Sequence, residues 1–141
     1  MDLGTTIPAK ALTRRTLQPL IDRALEEDIG VGDLTTQSTV SQDSWGQGAF
    51  RAKLDCVVAG LVLLPRLFSL LDPRVQIRFR SRDGEQINKG SVVAEVEGPI
   101  RALLLGERTA LNFLQRLSGT ATLTRSYVEE LKGFSCKLID T

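Results

Sequence analysis

The stretch "GERTALNFLQRLSGT" (residues 106–120) carries two interleaved patterns. With Leu103 just upstream, Ala110, Leu114 and Leu117 recur at the helical repeat and define an apolar side. Arg108, Asn112 and Gln115 recur at spacings of four and three and define a polar stripe. Glu107 interrupts the apolar side, four residues after Leu103 and seven before Leu114. A carboxylate buried without donors loses several kcal/mol, so Glu107 needs a donor or water. A boundary position that reaches solvent or pairs at a subunit contact is favoured over a direct catalytic role. Ser118-Gly119-Thr120 reads as an end-of-helix turn, with Gly119 supplying a positive φ. A second helix is expected at about 122–132, where Leu123, Tyr127 and Leu131 recur every four residues, a spacing that core packing explains.

Upstream, residues 1–15 read as a loose arm. Thr16 is expected to cap a helix whose apolar face is Leu17, Leu20, Ile21, Ala24 and Leu25. "EEDIGVGD" (26–33) ends it, with Gly30 and Gly32 as stop signals, and "DLTT" (33–36) reads as loop. "GQGAFRAKLDCVVAG" (46–60) suggests two short strands with a turn at Leu54-Asp55. "LVLLPRLFSLLD" (61–72) predicts a short helix that tolerates Pro65 in its first turn. "RVQIRFR" (74–80) alternates Val75, Ile77 and Phe79 with Gln76, Arg78 and Arg80, a strand with one wet face. "DGEQINKGSVVAEVEG" (83–98) reads as a hairpin within a small sheet, with turn pairs at Asp83-Gly84 and Lys89-Gly90. Its glycine spacing also occurs in lipoyl and biotinyl carrier domains. Those present a lysine beside methionine or alanine at a tight turn, whereas Lys89 precedes Gly90.

Downstream, "CKLID" (136–140) has the composition of a buried strand, and the sequence stops at Thr141 with nothing to cover that strand's edge. This predicts a larger fold interrupted as it begins.

Composition sets the remaining bounds. The apolar and charged fractions, 42% and 25%, are those of a globular chain, and 141 residues fit one domain or one domain plus a piece of another. A net charge of +1 with no basic block argues against nucleic-acid binding by bulk charge, though not against a local anion site. With no histidine, a Ser-His-Asp triad, a Cys-His pair and a histidine-ligated zinc are excluded for this chain. Cys56 and Cys136 lack metal or redox spacing and read as reduced thiols. The first ten residues lack a signal-peptide core, and the longest apolar run, "CVVAGLVLL" (56–64), falls far short of the ~20 residues that span a bilayer. A cytoplasmic protein with no membrane partner is expected. Arg108 remains open on pattern alone: a guanidinium suits bidentate recognition of a carboxylate or phosphate, but a solvated helix face accounts for the stripe as well.

Four ordered segments then carry a resemblance: "ALEEDIGVGDLTT" (24–36), "VVAGL" (57–61), "DGEQINKGSVVAEVEGPIRALLLGERTALNFLQRLSGTATLT" (83–124) and "LIDT" (138–141). From about Leu17 to Thr141 the chain resembles the N-terminal part of the quinolinate phosphoribosyltransferase family, also called nicotinate-nucleotide pyrophosphorylase (carboxylating). A related branch tied to molybdenum transport operons shares the fold and stays open as an alternative.

The resemblance implies an α+β fold. An open antiparallel-sheet domain with helices occupies residues 16–119, and the first strand of an incomplete, truncated α/β barrel lies within 120–141. It implies an enzyme that joins quinolinate to phosphoribosyl pyrophosphate, releases pyrophosphate and carbon dioxide, and yields nicotinate mononucleotide for NAD biosynthesis. Magnesium accompanies the pyrophosphate, with ligands beyond this chain. The implied assembly is a homodimer or hexamer in which each N-terminal domain covers a partner's barrel. Arg108 matches the arginine of the family's "ER" motif, which binds a quinolinate carboxylate in the partner's site. Thr141 matches the threonine of "DTRKT", beside the substrate; the arginine and lysine expected next do not follow. Gly106 departs from the alanine common in the family, and glycine inside a helix costs ~1 kcal/mol. No catalytic or metal-binding residue is expected within these 141 residues, which are expected to be inactive alone. The rival reading is a non-catalytic module, either carrier-like or a partner for a separately encoded barrel.

Overall fold

The computed structural model describes residues 14–29, 40, 41, 43–136, 138 and 139. Gly30, Gly32, the "DLTT" loop, Asp140, Thr141 and all but the last two residues of the arm lie outside the described residues.

Helix α1 spans Arg14–Ile29. It begins two residues before Thr16, so Thr16 lies within the helix rather than at its cap, and Pro19 is internal. A proline there removes the amide bond to the carbonyl four residues earlier. Ile21 and Leu25 are buried as the spacing predicts, but Leu20 is half exposed. Gln18 sits between Asp22 and helix α2 (Leu64–Leu71): its Nε2 donates to Asp22 Oδ1 at 2.6 Å and its Oε1 accepts from Arg66 Nε at 2.5 Å.

A three-stranded antiparallel sheet forms from β1 (Trp45–Arg51), β3 (Gln76–Phe79) and β5 (Val92–Pro99), in the order β1-β5-β3. β1 runs from Trp45 opposite Pro99 to Phe50 opposite Ala94, with an irregularity between Phe50 and Arg51. β3 pairs Gln76 with Glu97 and Phe79 with Ala94. Period-two alternation sends Phe50, Ala94 and Val96 to the helices. Glu95, Arg78 and Arg80 go to the open face, where Glu95 Oε2 accepts from Arg80 Nη2 at 2.8 Å and lies 3.7 Å from Arg78 Nη1. Trp45 is half exposed at the sheet's corner and donates from Nε1 to Glu97 Oε1 at 3.2 Å.

The expected hairpin over 83–98 does not form. β4 (Gln86–Ile87) pairs instead with β2 (Cys56–Val57) in a separate two-stranded sheet. Both turn pairs are present, with Gly84 and Gly90 at φ of 86° and 90°. However, the turn at Lys89-Gly90 hands the chain from one sheet to the other: the Gly90 amide donates to Ala52 O at 2.8 Å and the Ala52 amide to Ser91 O at 2.9 Å. With the turn's backbone bonded to Ala52, β4 and β5 are left in different sheets. The carrier-like alternative therefore loses its hairpin.

Leu61–Leu63 form a 3-10 turn that runs into α2, with Pro65 in the first turn as expected. Gly60, at φ 105°, opens that turn. Asp83, from the turn before β4, caps it across the fold: Oδ1 accepts from the Leu61 amide at 2.9 Å and Oδ2 from the Val62 amide at 3.3 Å.

The last element, α3, is one 31-residue helix, Ile100–Glu130. The turn expected at Ser118-Gly119-Thr120 is absent, and Gly119 has no positive φ. Glycine permits a helix end without requiring one, and the Ser118 and Thr122 side chains turn their hydroxyls onto β2 instead of capping. Residues 136, 138 and 139 carry no strand. A strand needs a ladder partner, and none of the described strands pairs there.

The core lies between the sheet and the helices: Ile21 and Leu25 of α1, Leu64, Leu67 and Phe68 of α2, Ala110 and Leu114 of α3, and Phe50, Ala94 and Val96 of the sheet. The Phe50 and Phe68 rings sit 6.4 Å apart at 57°. Gly106 is buried where α3 crosses α2, and a Cβ there would lie 2.6 Å from Phe68 Cε1. Its missing methyl is space the ring occupies. Among the described residues, no helix is long and apolar enough to cross a membrane.

Candidate functional site

The polar stripe is present on the outward side of α3. Leu104, Glu107, Arg108, Leu111, Asn112 and Gln115 line a shallow concavity of about 390 Å³. Glu107, Arg108, Asn112 and Gln115 are exposed, and Arg108 forms no hydrogen bond or ion pair with the described residues. Several other guanidiniums are committed to the fold: Arg74 forks onto Asp72, Arg80 binds Glu95, and Arg101 reaches Val40 O at 2.9 Å, whereas Arg116, further along the same helix, shares the exposure of Arg108. The Asp72–Arg74 fork holds the Asp72 carboxyl below the usual carboxylate range through hydrogen bonds from the Arg74 side chain and backbone.

Glu107 does not point into the core, and the boundary reading is the one its exposure supports. At ~100° per residue, Glu107 is only ~20° from Leu114 around the axis. The covering elements, however, change along α3. Ala102, Gly106, Thr109 and Ala110 are buried along the first turns of the helix, and Leu114 four residues beyond Ala110. The buried arc drifts around the helix, and Glu107 falls outside it at its own height.

Immediately beside Arg108, Thr109 is 1% exposed and donates from Oγ1 to Asp28 Oδ2 at 2.6 Å. This bond ties the end of α1 to α3 at the level of the stripe. Apolar periodicity gives no sign of it, because a threonine on a buried face counts as an interruption. A second polar pair is farther along α3: the Val57 amide donates to Thr122 Oγ1 at 2.9 Å and the Ala59 amide to Ser118 Oγ at 3.0 Å. The signal available in the sequence was a serine and a threonine four residues apart, at the spot read as a turn.

Cys56, half buried beside α3, has its thiol pushed up by burial and by the neighbouring Asp55 carboxylate. Cys136 is exposed. Among the described residues, no group of three or more Cys, Asp or Glu is placed to hold a metal ion. Thr141 lies outside the described residues.

The arrangement presents an exposed cation, unpaired among the described residues, with amide donors on the same helix face, suited to an anion brought from outside the chain. The family described as "Quinolinate phosphoribosyl transferase, N-terminal domain" matches residues 33–118. A probable nicotinate-nucleotide pyrophosphorylase (carboxylating) of Bacillus subtilis is 44% identical over 125 residues, 89% of this chain and 43% of that protein. Quinolinate phosphoribosyltransferase (decarboxylating) 1b of Nicotiana tabacum is 37% identical over 114 residues, covering 80% of this chain and 33% of that one. The crystal structure of NadC from Streptococcus pyogenes superposes with a TM-score of 0.87 at 36% identity, covering 92% of this chain and 46% of that one. The chain thus spans less than half the length of the relatives it matches.

Proposed function

Because the chain belongs to the quinolinate phosphoribosyltransferase N-terminal-domain family, we propose that it is the covering part of an enzyme that converts quinolinate and phosphoribosyl pyrophosphate to nicotinate mononucleotide, pyrophosphate and carbon dioxide. The observation that carries this reading is Arg108, exposed and unpaired among the described residues on a helix whose other side is anchored in the core. In the proposal, Arg108 reaches across a homodimer or hexamer junction and grips a quinolinate carboxylate over a partner's barrel. Asn112 and Gln115 line the same junction. The gain is positioning and charge stabilisation of a dianionic substrate, not bond chemistry.

Two further assignments belong to the same reading. The domain change is placed near residues 119–120, inside α3, past the last buried position at Leu114. Thr141 is placed beside the substrate at the end of the first barrel strand. Magnesium would accompany the pyrophosphate. In this reading its ligands lie beyond these residues. The enzyme is assigned to the cytoplasm.

Two measurements test this. The purified 141-residue chain, mixed with both substrates and magnesium, is expected to give no nicotinate mononucleotide; sustained turnover overturns the assignment. A chimera carrying these residues in place of the matching part of the Bacillus subtilis relative provides the complete site. There, Arg108→Ala is expected to weaken quinolinate binding by about 1.5–3 kcal/mol while phosphoribosyl pyrophosphate binding changes little. Equal weakening of both removes the assigned role.

A further inference from the structure

The geometry points to Ser118 and Thr122 as positioning residues that lock the axial register of α3 against strand β2, and so fix the direction in which Arg108 is presented; the functional half of this inference rests on the role of Arg108 proposed above.

β2 and its extended continuation through Val58 and Ala59 present two edges, one of them turned toward β4 and the turn before it. On that edge the Val58 amide donates to Glu85 O at 2.9 Å and the Gly84 amide to Val58 O at 2.7 Å. On the other edge α3 takes the place of a third strand. The Val57 amide donates to Thr122 Oγ1 at 2.9 Å and the Ala59 amide to Ser118 Oγ at 3.0 Å. Each hydroxyl uses its own proton as well: Ser118 Oγ donates to Ala59 O at 3.3 Å and Thr122 Oγ1 to Ser118 O at 2.6 Å.

The match is metric. Amides two residues apart on one strand edge are separated by about 6.6 Å. Side chains four residues apart on a helix are separated by about 6.0 Å along the axis, on nearly the same face. One hydroxyl pair therefore spans one edge repeat. Turning α3 by a single residue swings both hydroxyls away by about 100° and leaves two amides without acceptors, a loss that apolar contacts alone do not impose.

At the same height Leu117 packs on Gly60, where a Cβ would lie 2.9 Å from Leu117 Cδ1; that apolar contact sets how closely α3 approaches the segment, and the directional hydroxyl bonds set its axial register. Gly119, between the two hydroxyls, has no neighbour within 4 Å of where its Cβ would be, and Leu123 is exposed. α3 is continuous from Ile100 to Glu130, so a register set at Ser118 carries back ten residues, about 15 Å, to Arg108. The contacts of Gly106 with Phe68 and of Thr109 with Asp28 fix the near end; the hydroxyl pair fixes the far end.

The first test uses this chain. In Ser118→Ala/Thr122→Val, the Val57 and Ala59 amides are expected to exchange hydrogen about fivefold faster relative to Val58, whose acceptor is untouched. Ser118→Thr/Thr122→Ser keeps both hydroxyls and is expected to keep the protection. Unchanged exchange at Val57 and Ala59 overturns the lock. The second test uses the chimera with the Bacillus subtilis relative. The hydroxyl-free variant is expected to raise KM for quinolinate on the order of tenfold with KM for phosphoribosyl pyrophosphate unchanged, and the conservative variant to restore it. Equal rises in both KM values mean general damage and overturn the positioning role. Arg108→Ala in the same background separates the failures: if it raises KM for quinolinate and the hydroxyl-free variant does not, the lock's functional role falls and the Arg108 reading stands; if neither does, both fall.

Discussion

The two halves of α3 share one apolar spacing and meet different fates. In the first half, Ala102, Gly106, Thr109, Ala110 and Leu114 are buried against α1, α2 and the sheets. In the second half, Leu123 and Tyr127 keep the four-residue rhythm but are 55% and 53% exposed. Phe134, Leu138 and Ile139 continue the apolar exposure beyond the helix. Helical periodicity states that a face will be covered; it does not state by what. Here the first face is covered within the chain. The second leaves large apolar side chains exposed.

The comparison breaks most readily at its energetic extremes. Phe68→Ala, which removes the ring packed on the first half, is expected to cost about 3–5 kcal/mol in denaturant unfolding. Tyr127→Ala is expected to stay within about 0.5 kcal/mol. Similar losses for the two would mean that the second half is covered within this chain after all.

A glycine pair sharpens the same contrast. Gly119→Ala meets open space and no unusual φ, so it is expected to stabilise by about 0.5–1 kcal/mol through helix propensity. Gly106→Ala places a methyl 2.6 Å from Phe68 Cε1 and is expected to cost about 1–2 kcal/mol net, overpacking outweighing propensity. Trimming the ring with Phe68→Leu is expected to reverse the sign of the Gly106→Ala effect. Calorimetric melting of the single and double variants checks both.

Thr109→Val is expected to cost about 1–2 kcal/mol, since it leaves Asp28 without its buried donor. The exposed Thr124→Val serves as its counterpart and is expected to change stability by less than about 0.5 kcal/mol.

The smallest effect is chemical. Cys56 lies at the start of β2, beside the junction with α3, with its thiol pushed up, and Cys136 lies past the end of α3 and is exposed. Because a raised pKa leaves less thiolate at neutral pH, Cys136 is expected to react first with maleimide. The Cys56 rate should continue to rise at more alkaline pH than that of a free thiol. Mass spectrometry over a pH series reads both, and equal rates would mean that the α3–β2 junction opens freely.

Legibility in the sequence followed the same division. Elements set by local chemistry were readable: the alternation of β3, Pro65 in the first turn of α2, and the positive φ at Gly84 and Gly90. Which strand pairs with which was not. Gln86–Ile87 and Val92–Pro99 look like neighbours in a hairpin, yet each finds a partner far earlier in the chain, Cys56 and Val57 for one and Trp45–Arg51 for the other. Ser118 and Gly119 misled because their common role at helix ends is unused here: Gly119 sits within the helix facing open space, and the partner of Ser118, Ala59, lies far away in sequence. The stripe of Arg108, Asn112 and Gln115 was visible as a pattern. Its outward presentation required the fold, and its assignment to a substrate required the resemblance. Thr109 was hidden by the same logic that found the stripe, since a buried hydroxyl with a long-range carboxylate partner has no periodic signature.

Trp45 is the chain's single tryptophan, held at the sheet corner by its indole bond to Glu97 and next to Ser44, whose carbonyl receives the first amide of α3 from Ile100 at 2.9 Å. The molecule thus carries its own optical probe at the hinge between sheet and long helix. Half exposed as it is, the indole emits into water until something covers that corner, so a blue-shifted emission on adding a second protein would report assembly without any label.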